Sequence, residues 1–138
     1  MNIKACLSSE KMDWETPQDF FDELNKEFNF TLDVCATKEN RKCHTFISAK
    51  SLEIDWTTVS TGWKWMNPPY GRKIGEWIKK ASEERKVVAL IPARTDTKYF
   101  HDYIYKKKNV EIRFIKGRLK FGNSKNSAPF PSMIVIFR

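Results

Sequence analysis

Apolar residues mark out helices and strands along the chain by their spacing. Phe20, Phe21, Leu24 and Phe28 recur at helical intervals and give one apolar face. Thr16 stands where a cap belongs, Pro17 suits a first helical position and Asp19 a capping-box acid, so a helix begins there. Residues 30–34 read as a short buried strand that closes on Asp33. Leu52, Ile54 and Trp56 alternate as a brief strand, and residues 63–66 form another, stopped by Asn67-Pro68-Pro69. Ile74, Trp77, Ile78 and Ala81 predict a helix over 73–85. The β-branched run 87–91, bounded by Pro92, has the character of a central parallel strand. Tyr99, Phe100, Tyr103 and Ile104 predict a helix over 95–107. The tail then alternates strands (110–115, 119–121, 133–137) with turns at Gly117 and over 122–128. Such an order predicts an α/β fold with a mixed sheet and an antiparallel C-terminal hairpin. Residues 1–13 read as a leader, and 14–138 as one domain.

Composition narrows the class. With 138 residues, 41% hydrophobic and 14% aromatic, the chain suits a single packed core and not a disordered one. No run reaches the roughly eighteen apolar residues of a membrane span. Three cysteines without framework spacing fit reduced thiols in a cytosolic compartment, not a disulfide scaffold. The net charge of +8 is informative once located. Residues 1–97 hold 15 Lys/Arg and 15 Asp/Glu, whereas 98–138 hold 10 and 2, so the whole excess lies in the tail. A charge confined to one segment predicts a footprint for a polyanion such as nucleic acid.

Asn67-Pro68-Pro69-Tyr70 is the most specific feature. It follows an apolar strand, and the crevice at strand C-termini is where open α/β sheets bind ligands. The prolines hold a rigid turn and lack an N–H. The Asn67 side-chain carbonyl and the Pro68 main-chain carbonyl are then two fixed acceptors for both hydrogens of an exocyclic amine, and Tyr70 offers a face for stacking a base. Such acceptors favour a pyramidal nitrogen with a localised lone pair and stabilise the positive charge that develops as it attacks a methyl donor. Asp33 and Asp55 are expected to line the same crevice. A cationic sulfonium donor carries no phosphate and wants carboxylates, and the absence of glycine before Gly62 argues against a phosphate-binding loop.

Trp14-Glu15-Thr16-Pro17, Leu32-Asp33-Val34-Cys35-Ala36, Asp55-Trp56, Asn67-Pro68-Pro69-Tyr70-Gly71, Ile91-Pro92-Ala93-Arg94-Thr95-Asp96-Thr97 and Gly117-Arg118-Leu119-Lys120-Phe121 together resemble the successive motifs of phage-type (Dam-like) DNA N6-adenine methyltransferases. The resemblance runs from about residue 14 to the C-terminus. It implies a single Rossmann-like methyltransferase domain that uses S-adenosylmethionine to methylate adenine N6 in DNA, with the base flipped out, inside a bacterial host's cytoplasm. It also implies roles. Thr16 and Pro17 match the segment holding the donor's methionine end. Asp33 matches the acid near its ribose or amine, and Asp55, beside Trp56, the acid near its adenine. Asn67, Pro68 and Tyr70 match the catalytic tetrapeptide, with Pro69 and Tyr70 against the base. Arg94 and Thr95 match contacts to the flipped nucleotide or its phosphates, and Phe121 a second stacking face. Apart from the resemblance, the basic segment Lys106, Lys107, Lys108, Arg113, Lys116, Arg118, Lys120 and Lys125 is expected to offset base flipping by phosphate contact, with Arg118 and Lys120 among the substrate-binding residues. Cys35 and Ala36 stand where larger relatives carry a glycine-rich cofactor loop.

Other features carry less. Cys35, Cys43 and His44 lack a fourth ligand at zinc spacing, so no metal is expected. The same acceptor pair suits cytosine N4 or RNA adenine, and an inactive DNA-binding module on this scaffold is the rival from another class. Monomer and homodimer both remain open.

Overall fold

The computed structural model describes residues 14–122 and 126–138; the expected leader and Lys125 lie outside them. Strands β1 (Leu32–Asp33), β2 (Lys64–Met66), β3 (Val87–Pro92), β4 (Val110–Phe114) and β5 (Ser132–Phe137) form one sheet in the order β1-β2-β3-β5-β4. β1, β2 and β3 are parallel, and β5 runs antiparallel between β3 and β4. The mixed sheet and the antiparallel C-terminal pair are therefore as expected. Residues 119–121, expected as a strand, are irregular.

Alternation along the strands divides the core between two faces. Val87, Ala89 and Ile91 face helix α3 (Ile74–Glu84) through Trp77, Ile78 and Ala81. Trp65, Val88 and Leu90 face the other side, where helix α1 (Gln18–Phe28) presents Phe21 and Phe28. Covering both faces explains why β3 and β5 are buried along their whole length.

Three local expectations change. α1 starts at Gln18 with Pro17 as its N-cap and no side-chain cap, because the Thr16 hydroxyl is engaged by Asn67 instead. Residues 52–56 do not form a strand. They form a single 3-10 turn (Ser51–Glu53) and then helix α2 (Trp56–Val59), whose first turn Asp55 caps by accepting from Thr57 N at 3.1 Å. The helix expected over 95–107 is present but shortened to residues 98–104, most of it the π-helical stretch Phe100–Ile104. Thr97 accepts from Phe100 N, and Lys106 ends the segment at φ 58°.

The sheet consequently has two unlike ends. The carboxyl end carries the exits of β1, β2, β3 and β4. The amino end carries their starts, together with the last residue of α3 and residues 106–109.

Candidate active site

Asn67 leaves β2 at the carboxyl end, and its side-chain amide is fully engaged. Nδ2 donates to the Trp14 carbonyl at 2.7 Å and to Thr16 Oγ1 at 3.0 Å. The Trp14 oxygen can only accept, so the amide nitrogen must face it and Oδ1 must face the other way. That oxygen accepts from the Tyr70 hydroxyl at 2.5 Å, and the same hydroxyl lies 3.0 Å from the Leu90 carbonyl. One proton serves one acceptor at a time, so Tyr70 has two alternative bonds. Burial holds its pKa well above the ordinary phenol value, which keeps that proton in place.

Around this group Trp14, Tyr70, Phe121 and Phe130 pack edge to face. Tyr70 meets Phe121 at 6.3 Å and 85°, and Phe130 at 5.7 Å and 79°. Trp14 meets the same two rings at 5.6 and 5.0 Å. Phe121 is 1% exposed. It therefore does not stand parallel to Tyr70 as the second wall of a base slot, because its ring is used to fill the core. The Arg94 guanidinium lies 5.9 Å over Phe130, so Arg94 does reach this cluster. Thr95 is exposed two residues beyond Ile91-Pro92-Ala93 at the same end, with its carbonyl 2.9 Å from the His101 ring.

The two aspartates part company. Asp33 lies at the carboxyl end in register with Trp65. Its Oδ1 accepts from Cys35 N at 3.2 Å and its Oδ2 from Lys42 N at 3.0 Å, tying down the loop after β1. Burial raises its pKa to about 7 against the pull of those two bonds. Ala36 is buried in that loop, donating its N–H to Ile47 O. Asp55 instead sits at the amino end. Its neighbour Trp56 donates its backbone N–H to Glu84 at the end of α3, and Trp56 itself is 0% exposed against Trp77. The expectation that Asp33 and Asp55 share a crevice is not met, and Trp56 is a core residue. Alternation in residues 52–56 concealed a capped turn.

The basic footprint divides in the same way. Lys106, Lys107 and Lys108 precede β4 at the amino end, while Arg118 and Lys120 follow it at the carboxyl end, exposed. Lys120 and Pro17 border one shallow groove with Phe20 and Leu119. Arg113, between the two clusters, is neutralised by a bidentate pair with Glu27 at 2.7 and 2.8 Å and by Glu111 at 2.7 Å. Among the described residues no three His, Cys, Asp or Glu side chains gather as a metal site, and no helix is long and apolar enough to cross a membrane. Burial pushes the Cys43 thiol up to about 12.

Sequence reasoning missed the Trp14 and Leu90 carbonyls, which have no side-chain signature. It also missed Phe130, although Pro129 and Pro131 on either side were a sign of a rigidly presented ring.

The chain is 28% identical over 150 residues to a DNA N-6-adenine-methyltransferase of Haemophilus phage HP1 (strain HP1c1), covering 99% of this chain and 84% of that one. No solved structure matches. The profile of the DNA N-6-adenine-methyltransferase (Dam) family matches residues 4–138, and the chain belongs to that family.

Proposed function

We propose that the protein is a Rossmann-like, S-adenosylmethionine-dependent methyltransferase acting on adenine N6 in DNA. The observation that carries this reading is the Asn67 amide, held at the exit of β2 with its nitrogen on the Trp14 carbonyl and Thr16 and its oxygen on the Tyr70 hydroxyl. The relative from phage HP1 bears the name of the same activity.

Adenine's amino group is buried in a duplex, so the nucleotide must rotate out at a cost of about a few kcal/mol. Phosphate contacts from Arg118 and Lys120 offset part of that cost. Asn67 Oδ1 and the Pro68 carbonyl then accept the two amine hydrogens. The nitrogen lone pair becomes localised, and the acceptors stabilise the charge that builds on it. Tyr70 must first release Asn67 Oδ1, and the Leu90 carbonyl 3.0 Å away offers its hydroxyl a replacement acceptor. Pro69 and Tyr70 bear on the base as the aromatic cluster with Phe121 opens, and Arg94 and Thr95 border it.

The donor supplies an electrophilic methyl group when bound. The donor set suits it: each Asp33 oxygen accepts one loop N–H and has a second lone pair for a ribose hydroxyl or an amine, which reaches this buried carboxylate as the loop after β1 opens. Ala36 and Pro17 complete that side, and nothing there resembles a phosphate cradle. Asp55 and Trp56 have no part in this seating.

The test uses methyl-labelled S-adenosylmethionine and adenine-containing DNA, digested to nucleosides. Label in N6-methyladenosine is expected. Label in N4-methylcytidine, or in RNA alone, reassigns the substrate, and no label at any salt removes the reading.

A further inference from the structure

Asn67 is useful only in one orientation. A side-chain amide presents an oxygen on one side and a nitrogen on the other, and a half-turn about its last bond exchanges them. Nitrogen toward the base would set donor against donor. The orientation therefore needs a cause, and the chain supplies one from 51 and 53 residues away. The Trp14 carbonyl and Thr16 Oγ1 take both amide hydrogens at 2.7 and 3.0 Å. Thr16 is 3% exposed, so little water competes for its bond. The strap carrying the two acceptors is itself fixed. Trp14 is wedged edge to face against Phe121 and Phe130, Gly122 N donates to the Glu15 carbonyl at 2.7 Å, and Pro17 leads straight into α1.

We propose that Thr16 is a positioning residue. The Trp14 carbonyl, which can only accept, sets which way the Asn67 amide faces, and Thr16 takes its second hydrogen and holds it there, with the oxygen toward the Tyr70 hydroxyl and, once that hydroxyl turns to Leu90, toward the base. Thr16 thereby acts on methyl transfer through Asn67. This differs from a role in holding the methyl donor, which the motif resemblance implied for Thr16. It rests on the adenine-methylation reading. The lock also explains why an amide, not a carboxylate, stands at position 67: a carboxylate would turn an oxygen toward the Trp14 carbonyl, acceptor against acceptor.

The decisive variants are Thr16→Val, which keeps the shape and removes the acceptor, and Thr16→Ser, which keeps it. Single-turnover methylation at saturating donor and DNA is expected to fall roughly tenfold in Thr16→Val, the order of one lost hydrogen bond, and to recover in Thr16→Ser. Donor affinity by calorimetry should stay within about twofold of the parent, well under one hydrogen bond's worth. In parallel, NMR should show slow hydrogen exchange at the Asn67 side-chain amide in the parent and faster exchange in Thr16→Val, with no dependence on activity. Should Thr16→Val fail to fold, Thr16→Ala is read by the same three measurements. An unchanged rate and unchanged exchange in the valine variant overturn the lock. So does a weakened donor affinity with an unchanged saturated rate, which would return Thr16 to the donor. Absence of N6-methyladenosine with the parent protein fails the functional reading instead, while the exchange measurement still judges the lock.

Discussion

The two ends of the sheet each carry an aspartate and a set of cations, yet they are built for different work. At the carboxyl end Asp33 is buried and satisfied by two loop N–H groups, and Asn67 is held by a strap from the N-terminal side of α1. At the amino end Asp55 is exposed and caps a four-residue helix, while Trp56 is pinned by Glu84 and a tryptophan neighbour. One end ties its polar groups to a loop and to a strap around the Asn67 turn. The other uses its polar groups to finish helices. Residue type alone does not separate the two; the direction of the strands does.

Asn67→Ala should give the sharpest contrast. Single-turnover methylation is expected to fall about 10²–10³-fold, the scale of one lost transition-state hydrogen bond. The circular dichroism spectrum should persist, since the strap keeps its aromatic contacts. A variant within tenfold of the parent would erase the distinction between the two ends.

Asp33 should tie stability to pH in a direction unusual for a carboxylate. Its folded pKa of about 7 lies above the ordinary value, so the folded state binds the extra proton between the two. Stability is therefore greatest below about pH 4, as far as this group is concerned, and is lost as pH rises through 7. A shift of that size sets a ceiling of a few kcal/mol. Urea midpoints across pH 4–8 should show the decline, and Asp33→Asn should flatten it. A decline that survives in Asp33→Asn assigns it to another group.

Most of the fold was legible because it follows from apolar spacing: α1, α3, β3 and the terminal pair all lie where the pattern put them. The errors share a cause. Alternation at Leu52, Ile54 and Trp56 looked like a strand, but Asp55 bonds to its own neighbouring backbone and turns the chain. Thr16 looked like a cap, but a partner 51 residues away claimed its hydroxyl. Asn67, Pro68 and Tyr70 were legible as a group because one turn carries them. Phe121 was assigned to the base slot because sequence shows that a ring is present, not which way it faces.

The divided basic footprint gives a smaller effect. Arg118→Gln with Lys120→Gln should weaken DNA binding about tenfold at moderate salt and reduce the salt slope by about one per lost contact. Lys107→Gln with Lys108→Gln, at the amino end, should change the methylation rate on a short duplex far less. Binding isotherms over a range of salt compare the pairs directly, and equal losses from both would mean that the duplex reaches around the edge strand β4 to the far end.

Asp55→Ala should have the smallest effect, and it closes the comparison. Losing an N-cap costs about 1 kcal/mol, here softened because Glu84 also accepts from Thr57 N at 3.2 Å. The thermal midpoint should drop by a few degrees, as expected for about 1 kcal/mol in a domain of this size. Donor affinity measured by calorimetry on the folded variant should be unchanged. Were that affinity to fall tenfold instead, Asp55 would belong to the donor's seat after all, and the loop from Ile47 to Asp55 would have to swing to the carboxyl end when the donor binds. The Glu84 contacts argue against such a swing, since it would strip both Trp56 N and Thr57 N of their shared acceptor.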